Sequence, residues 1–341
     1  MPSPSVMPDV IQAHRPEVES ALRAQIYRAS NKLPLYRMIQ YQLGWVDESG
    51  SDDTLLSLPR FFGGICMEAA GAGVSNRPGC AAAAIELLTA SLTVHEEMQS
   101  EGQTADARPG VWWIWGPAQA INVGDGLHAL ARLSLFQLRD SNSPADLTLS
   151  AIALLDSAAL RYYEGQYLDL AYQERVDITE GQYISMAEAK RGALMGAAAA
   201  LGAHTGGRPE IQVEAFKAFG ESLGVASQIR DDIALIWPES GATRASSRIL
   251  NKSKLFPVAY ALEHASIGQK RALGNIYFKR IMEPEDIGTL RGVLDELGIR
   301  EKANERAVSL AEQAMDALAP AGLDAEALQR WESTVNTLIG R

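Results

Sequence analysis

The shortages in this chain of 341 residues narrow its possibilities first. Two cysteines, Cys66 and Cys80, lie among apolar or small residues without zinc-site spacing, which reads as a pair of thiols in a reducing compartment. No lysine or arginine block stands out, and 42 acidic against 31 basic residues give a net charge of −11, which speaks against nucleic acid as a partner. No apolar run approaches a membrane span, and Met1 to His14 show no basic stretch followed by an apolar core. The expectation is therefore a cytoplasmic protein without stable membrane insertion. Sustained strand alternation with hairpin turns is missing too, as are a glycine-rich phosphate loop and a recognisable nucleophile motif.

What remains is helix. Ala, Leu, Glu, Gln and Arg dominate, and apolar residues return every three or four positions. The spacing predicts helices over 80–103, 116–139, 145–172, 182–204, 210–236, 254–264, 283–298, 300–318 and 323–339, with Gly and Pro breakers between them. The fold class is all-α. The length allows one large domain or two smaller ones, but no composition shift or Gly/Ser linker marks a boundary. The reading is a Pro-containing tail over 1–15 and one domain over 16–341. The small-residue run Gly192 to Gly202 predicts a helix buried in a bundle at close range.

Two acidic pairs, Glu96-Glu97 and Asp231-Asp232, each sit in an apolar helical stretch. Charges in such company are normally paired or bound to a cation, and two facing pairs suit hard divalent ions. Glu96 shares a helix face with Ser100, and Glu97 with Glu101, although the first pair also reads as a helix end reaching solvent before Gly102. Lys190 and Lys254 are isolated cations in apolar settings, suited to a phosphate oxygen or to the surface. In Glu164-Gly-Gln-Tyr-Leu-Asp169, Gln166 and Asp169 lie one turn apart and line a cavity or satisfy each other. Trp112, Trp113 and Trp115 shield a carbocation or, more simply, pack at a loop.

In order along the chain, Leu35 to Asp47, Ala84 to Glu97, Trp115 to Asp125, Glu164 to Asp169, Lys190-Arg-Gly-Ala-Leu194 and Gln228 to Asp232 are landmarks of a known family. The chain resembles the trans-polyprenyl diphosphate synthases of the class I isoprenoid synthase fold. That resemblance implies antiparallel helices around a deep apolar cavity, usually a homodimer, with two DDxxD motifs binding magnesium ions at the mouth. It assigns metal binding (Mg2+) to Glu96, Glu97, Ser100, Asp231 and Asp232, although each motif lacks its third acid. Lys190, Gln228 and Lys254 fall at the allylic side, and Arg248 stands where an acid is usual. Ser91 and Leu92 occupy positions where relatives often place bulky chain-length stops, and with Asp169 they are expected at the substrate cavity.

The second diphosphate site of the family has lost its cations. Leu56, Ser57 and Pro59 replace the basic residues of GKRxRP, Thr89 replaces a histidine, and Ala105-Asp106 replace an arginine pair. A diphosphate needs several donors to repay its desolvation, so condensation with isopentenyl diphosphate is not expected. The expectation is a class I terpene-synthase-like enzyme that ionises one allylic prenyl diphosphate, farnesyl or geranylgeranyl, and cyclises the cation. Gln166, water or the departing diphosphate then takes the last proton. Prenyl transfer to an acceptor without a diphosphate, and a non-catalytic partner subunit of a synthase, are the alternatives.

Overall fold

The computed structural model describes residues 7–30, 32–53, 58–71, 77–99, 108–141, 144–238 and 247–341. Along the chain run α1 (Asp9–Ala13), α2 (Arg15–Ala29), α3 (Pro34–Gln42), α4 (Phe61–Ala70), α5 (Arg77–Gln99), α6 (Val111–Trp115), α7 (Pro117–Phe136) and α8 (Ala145–Gln173). There follow α9 (Glu180–Ala187), a π-helical turn (Glu188–Gly192), α10 (Ala193–Thr205), α11 (Glu210–Ile236) and the short α12 (Ser247–Leu250). The last part holds α13 (Phe256–His264), α14 (Ile267–Tyr277), α15 (Pro284–Glu296), α16 (Ile299–Ala317) and α17 (Ala325–Ile339). The only β pairing among the described residues is an isolated bridge between Val46 and Asp52. The fold is all-α, as expected.

Local chemistry sets several of these boundaries. Thr179 caps α9 through a reciprocal bond with Gln182, and Ser266 does the same for α14 with Gln269. Gly298, Gly322 and Gly340 adopt the left-handed conformation at breaks around α16 and α17.

At the centre stands α10, whose residues from Ala193 to Ala203 are buried on all sides. It packs on α4, α5, α8 and α11. Its approach to α11 is backbone to backbone: a Cβ on Gly224 would lie 2.6 Å from the carbonyl oxygen of Arg191, and one on Gly220 would strike that of Met195. Small side chains thus bring the turn carrying Lys190 and Arg191 against the helix carrying Asp231 and Asp232. Outside this, α16 and α17 cover α11, and Trp331 of α17 is buried against Phe216 and Phe219. Sealing that indole contributes on the order of 3 kcal/mol.

The long helices lie close to their predicted positions, and 210–236 coincides with α11. Two differences stand out. The stretch expected as a tail is helical from Asp9, and Met7 and Ile11, four residues apart, are both buried, with Ile11 against Gly64 of α4, which docks this segment. The helix expected over 182–204 contains the π turn, an irregularity with no compositional signature. Cys66 is buried and Cys80 half-buried.

Candidate active site

A cavity of about 260 Å³ opens between α5, α8, the π turn, α11 and the segment after α12. Phe62, Leu92, Leu170 and Leu194 supply apolar walls, while Glu96, Glu97, Asp169, Lys190, Arg191 and Arg248 line it with charge.

Lys190 holds the centre. Its ammonium lies 3.0 Å from Glu96 Oε1 and 2.8 Å from Asp169 Oδ2, and 5.6 Å from the ring centre of Tyr162. Gly165 makes room for its stem, since a Cβ there would sit 2.7 Å from Lys190 Cγ. Burial opposes the lysine's charge, but Glu96 and Asp169 outweigh it and hold the group well above the usual lysine range. Burial also resists ionisation of Glu96. Lys190 and the Tyr162 hydroxyl, which donates to Oε2 at 2.8 Å, nevertheless bring that carboxyl down to about 2.

Glu97 behaves in the opposite way, because burial and the neighbouring Glu96 charge push it up to about 7. The folded state therefore holds this proton more tightly than the unfolded chain, and stability falls as pH rises from about 4.5 to about 7. Glu97→Gln is accordingly expected to melt at a higher temperature than the parent at pH 8, with the gain shrinking at pH 5. An equal shift at both pH values, by scanning fluorimetry, would remove the titration from the explanation.

The second acidic pair is held differently. Asp232 is fully buried and accepts from the Tyr183 hydroxyl at 2.6 Å, the Arg248 guanidinium at 2.9 Å and the Phe256 amide at 2.9 Å. It therefore ties α11 to α9, α12 and the start of α13. Asp231 accepts from Arg191. Burial works against its ionisation, and Arg191 overrides this to keep the carboxyl below the usual range.

Gln166 donates to Gln99 Oε1 at 2.9 Å, and its own buried Oε1 has no hydrogen-bond partner among the described residues. Gln228 lines the cavity with its amide 3.9 Å from the Met186 sulfur.

Two expected residues, Lys254 and Ser91, lie elsewhere. Lys254 is not among the residues lining the cavity: its ammonium donates to the carbonyls of Gln173 and Lys252, both at 2.9 Å, and lies 4.3 Å from the Tyr277 ring centre. Burial and Lys252 bring it down to about 7. It ties the end of α8 to the approach of α13. Ser91 bonds the Gly124 carbonyl at 2.7 Å and joins α5 to α7, whereas its neighbour Leu92 does face the cavity. Ser100 lies outside the described residues, as do Leu56, Ser57, Glu101, Ala105 and Asp106. The tryptophans pack around α6, Trp115 edge-on to Tyr41 and Trp112 edge-on to Trp113, away from the cavity lining.

Sequence reasoning missed Tyr162 and Tyr183 as partners of the acids. Tyr162 stands four residues before Gln166 and seven before Asp169, a helical stripe that spacing does mark.

A magnesium cage on Glu96, Glu97, Asp231 and Asp232 does not fit this arrangement. Both oxygens of Asp232 are committed, while Asp231 and Glu96 are held by protein cations. Among the described residues no group of three or more His, Cys, Asp or Glu side chains is placed to hold a metal ion.

The sequence profile of the Polyprenyl synthetase family matches residues 67–294. A (2E,6E)-farnesyl diphosphate synthase of Mycobacterium tuberculosis is 31% identical over 240 residues, 69% of this chain and 65% of that protein. This chain thus spans just under two thirds of that relative. A geranylgeranyl diphosphate synthase of the same organism is 31% identical over 242 residues, covering 70% and 68%. In fold, the chain is similar to the crystal structure of a polyprenyl synthetase from Streptomyces coelicolor, with TM-score 0.85 and 24% identity over 96% of this chain and 97% of the other. A geranylgeranyl pyrophosphate synthetase from Pyrococcus horikoshii gives TM-score 0.82 and 24% identity over 97% of each chain.

Proposed function

Since the chain belongs to the polyprenyl synthetase family, we propose that it takes one allylic prenyl diphosphate, farnesyl or geranylgeranyl, and cyclises it without isopentenyl diphosphate. The observation that carries this reading is the placement of positive charge. Lys190, Arg191 and Arg248 are the cationic side chains lining the cavity among the described residues, and in this reading they serve the allylic diphosphate.

Two described side chains assigned to or near the acceptor side in this reading are engaged by the chain itself. Thr89 bonds the Ile85 carbonyl of its own helix at 2.8 Å, and the nearby Arg60 turns to Glu19 and the Leu43 carbonyl.

In the proposed reaction, the bond between C1 and its oxygen breaks, and the electron pair leaves with the diphosphate. The cations stabilise that developing charge. A double bond of the same chain supplies the pair that closes the ring on the allylic cation, within walls formed by Phe62, Leu92, Leu170 and Leu194. Loss of a proton to water, to the diphosphate or to the Gln166 carbonyl oxygen restores neutrality. Gln166 Oε1, buried at the cavity, also suits the stabilisation of positive charge. Magnesium, if it binds, would strengthen the leaving group as a Lewis acid, but Asp232 would first have to give up its three hydrogen bonds.

The test is incubation with geranyl, farnesyl and geranylgeranyl diphosphates, each with and without isopentenyl diphosphate. Cyclic products without the added acceptor are expected. Longer prenyl diphosphates would overturn the reading, and products formed only with an uncharged acceptor would replace cyclisation with prenyl transfer.

A homodimer belongs to the same proposal. Helices α7 and α8 share a seam where His128 meets Tyr163, and around it Leu133, Phe136, Leu149, Leu160 and Tyr167 are exposed. Exposed apolar patches of this kind mark interaction surfaces. The parent is expected to elute as a dimer, and Leu133→Asp with Leu160→Asp as a monomer, by size exclusion with light scattering. No helix among the described residues is long and apolar enough to cross a membrane, and a cytoplasmic location is part of the reading.

A further inference from the structure

We propose that Arg191 and Arg248 are built-in diphosphate ligands, and that Asp231 and Asp232 serve to aim these guanidinium groups rather than to hold metal. The inference rests on the reading that a diphosphate enters this cavity.

Asp232 is fixed from three directions, by Tyr183, by the Phe256 amide and by Arg248 itself. It therefore works as an anchor behind the guanidinium. The Arg248 side chain keeps 30% of its surface exposed, and the residue lines the cavity. Arg191 is arranged in parallel. Asp231 holds its Nη1, the π turn sets it beside Lys190, and its carbonyl is pressed against Gly224 so that the backbone cannot drift.

A planar guanidinium offers five N–H donors in a rigid fork, which matches two phosphate oxygens at once. Held by a carboxylate on one edge, it loses little further freedom when an anion meets another edge. A carboxylate cage needs divalent ions before it tolerates a diphosphate. Here a guanidinium already stands against each carboxylate of the second acidic pair, Arg191 against Asp231 and Arg248 against Asp232, and both arginines line the cavity beside Lys190.

Titration calorimetry with inorganic pyrophosphate, in EDTA and again in magnesium chloride, tests the proposal on the full chain. Binding in EDTA is expected to lie within a few-fold of that with magnesium. Arg191→Met is expected to weaken it tenfold or more in EDTA. Arg248→Lys, which keeps a charge against Asp232 and so preserves folding, is expected to do the same with little change in melting temperature. Binding only with magnesium, or binding indifferent to both substitutions, would overturn the inference. The outcome separates from that of the cyclase reading. Metal-free, arginine-dependent pyrophosphate binding without prenyl turnover sinks the cyclase and leaves these ligands standing. Cyclisation with strictly magnesium-dependent pyrophosphate binding does the reverse.

Discussion

Asp232→Ala is expected to destabilise the fold by about 3–5 kcal/mol, because it leaves a guanidinium with its buried partner removed. Arg248, Tyr183 and the Phe256 amide all lose their acceptor in one substitution. Against a total stability of about 5–15 kcal/mol, the variant is expected to show a greatly lowered denaturation midpoint or to fail to accumulate as soluble protein. Arg248→Met alone strands the carboxylate instead and is expected to cost a comparable amount. Asp232→Ala combined with Arg248→Met removes both charges, so its cost should fall well short of the sum of the two single losses. Urea melts of the four proteins make the comparison. Additive losses would show that the pair is not coupled and that the hydrogen bonds to Tyr183 and Phe256 carry the effect.

Lys190→Met is the second large effect, and it acts on turnover and on stability together. The ammonium bridges Glu96 and Asp169, so its loss leaves two carboxylates facing each other beside the cavity. Turnover is expected to fall on the order of 100- to 1,000-fold, the usual consequence of removing a preorganised charge from a developing anion. The pH dependence supplies an independent readout. With the Glu96 carboxyl held at about 2 in the fold, its contribution to stability is complete above the unfolded value of about 4.5 and is lost as pH falls toward 2. In Lys190→Met that acid-side loss should shrink, because the carboxyl keeps only the Tyr162 hydroxyl and the more distant Arg248 charge to oppose its burial. A variant whose melting temperature follows pH as the parent's does would exclude Lys190 as the cause of the Glu96 shift.

The sequence made much of this legible through the company each charge keeps. Asp231 and Asp232 stand among Ile, Ala and Leu, and that setting alone required partners for them. Their partners were harder to see. Arg248 follows Asp232 by 16 residues, across a Pro that ends the helical pattern, so helical spacing could not join them, and its one signal was an arginine where the resembled family has an acid. Lys190 was legible as an isolated cation, and the structure adds the two carboxylates that hold it. Lys254 was equally isolated in sequence, yet backbone carbonyls satisfy it, a partner that side-chain reasoning cannot name. The docked N-terminal segment was hidden in another way: Met7 and Ile11 do stand at helical spacing, but Pro2, Pro4, Pro8 and Pro16 around them read as a tail.

The π turn from Glu188 to Gly192 has a consequence for how such a site is gained or lost. A π turn is an α-helix with one surplus residue, so deleting a single residue here would restore a regular ladder from α9 into α10. Every side chain on one side of the deletion would then rotate by about a third of a turn relative to the other side. Lys190 or Arg191 would swing out of the cavity while composition, charge and helix content stayed almost the same. One codon removed from the π turn is thus expected to be as disabling as a substitution of the lysine itself, and inspection of the surviving charged residues would not reveal the loss.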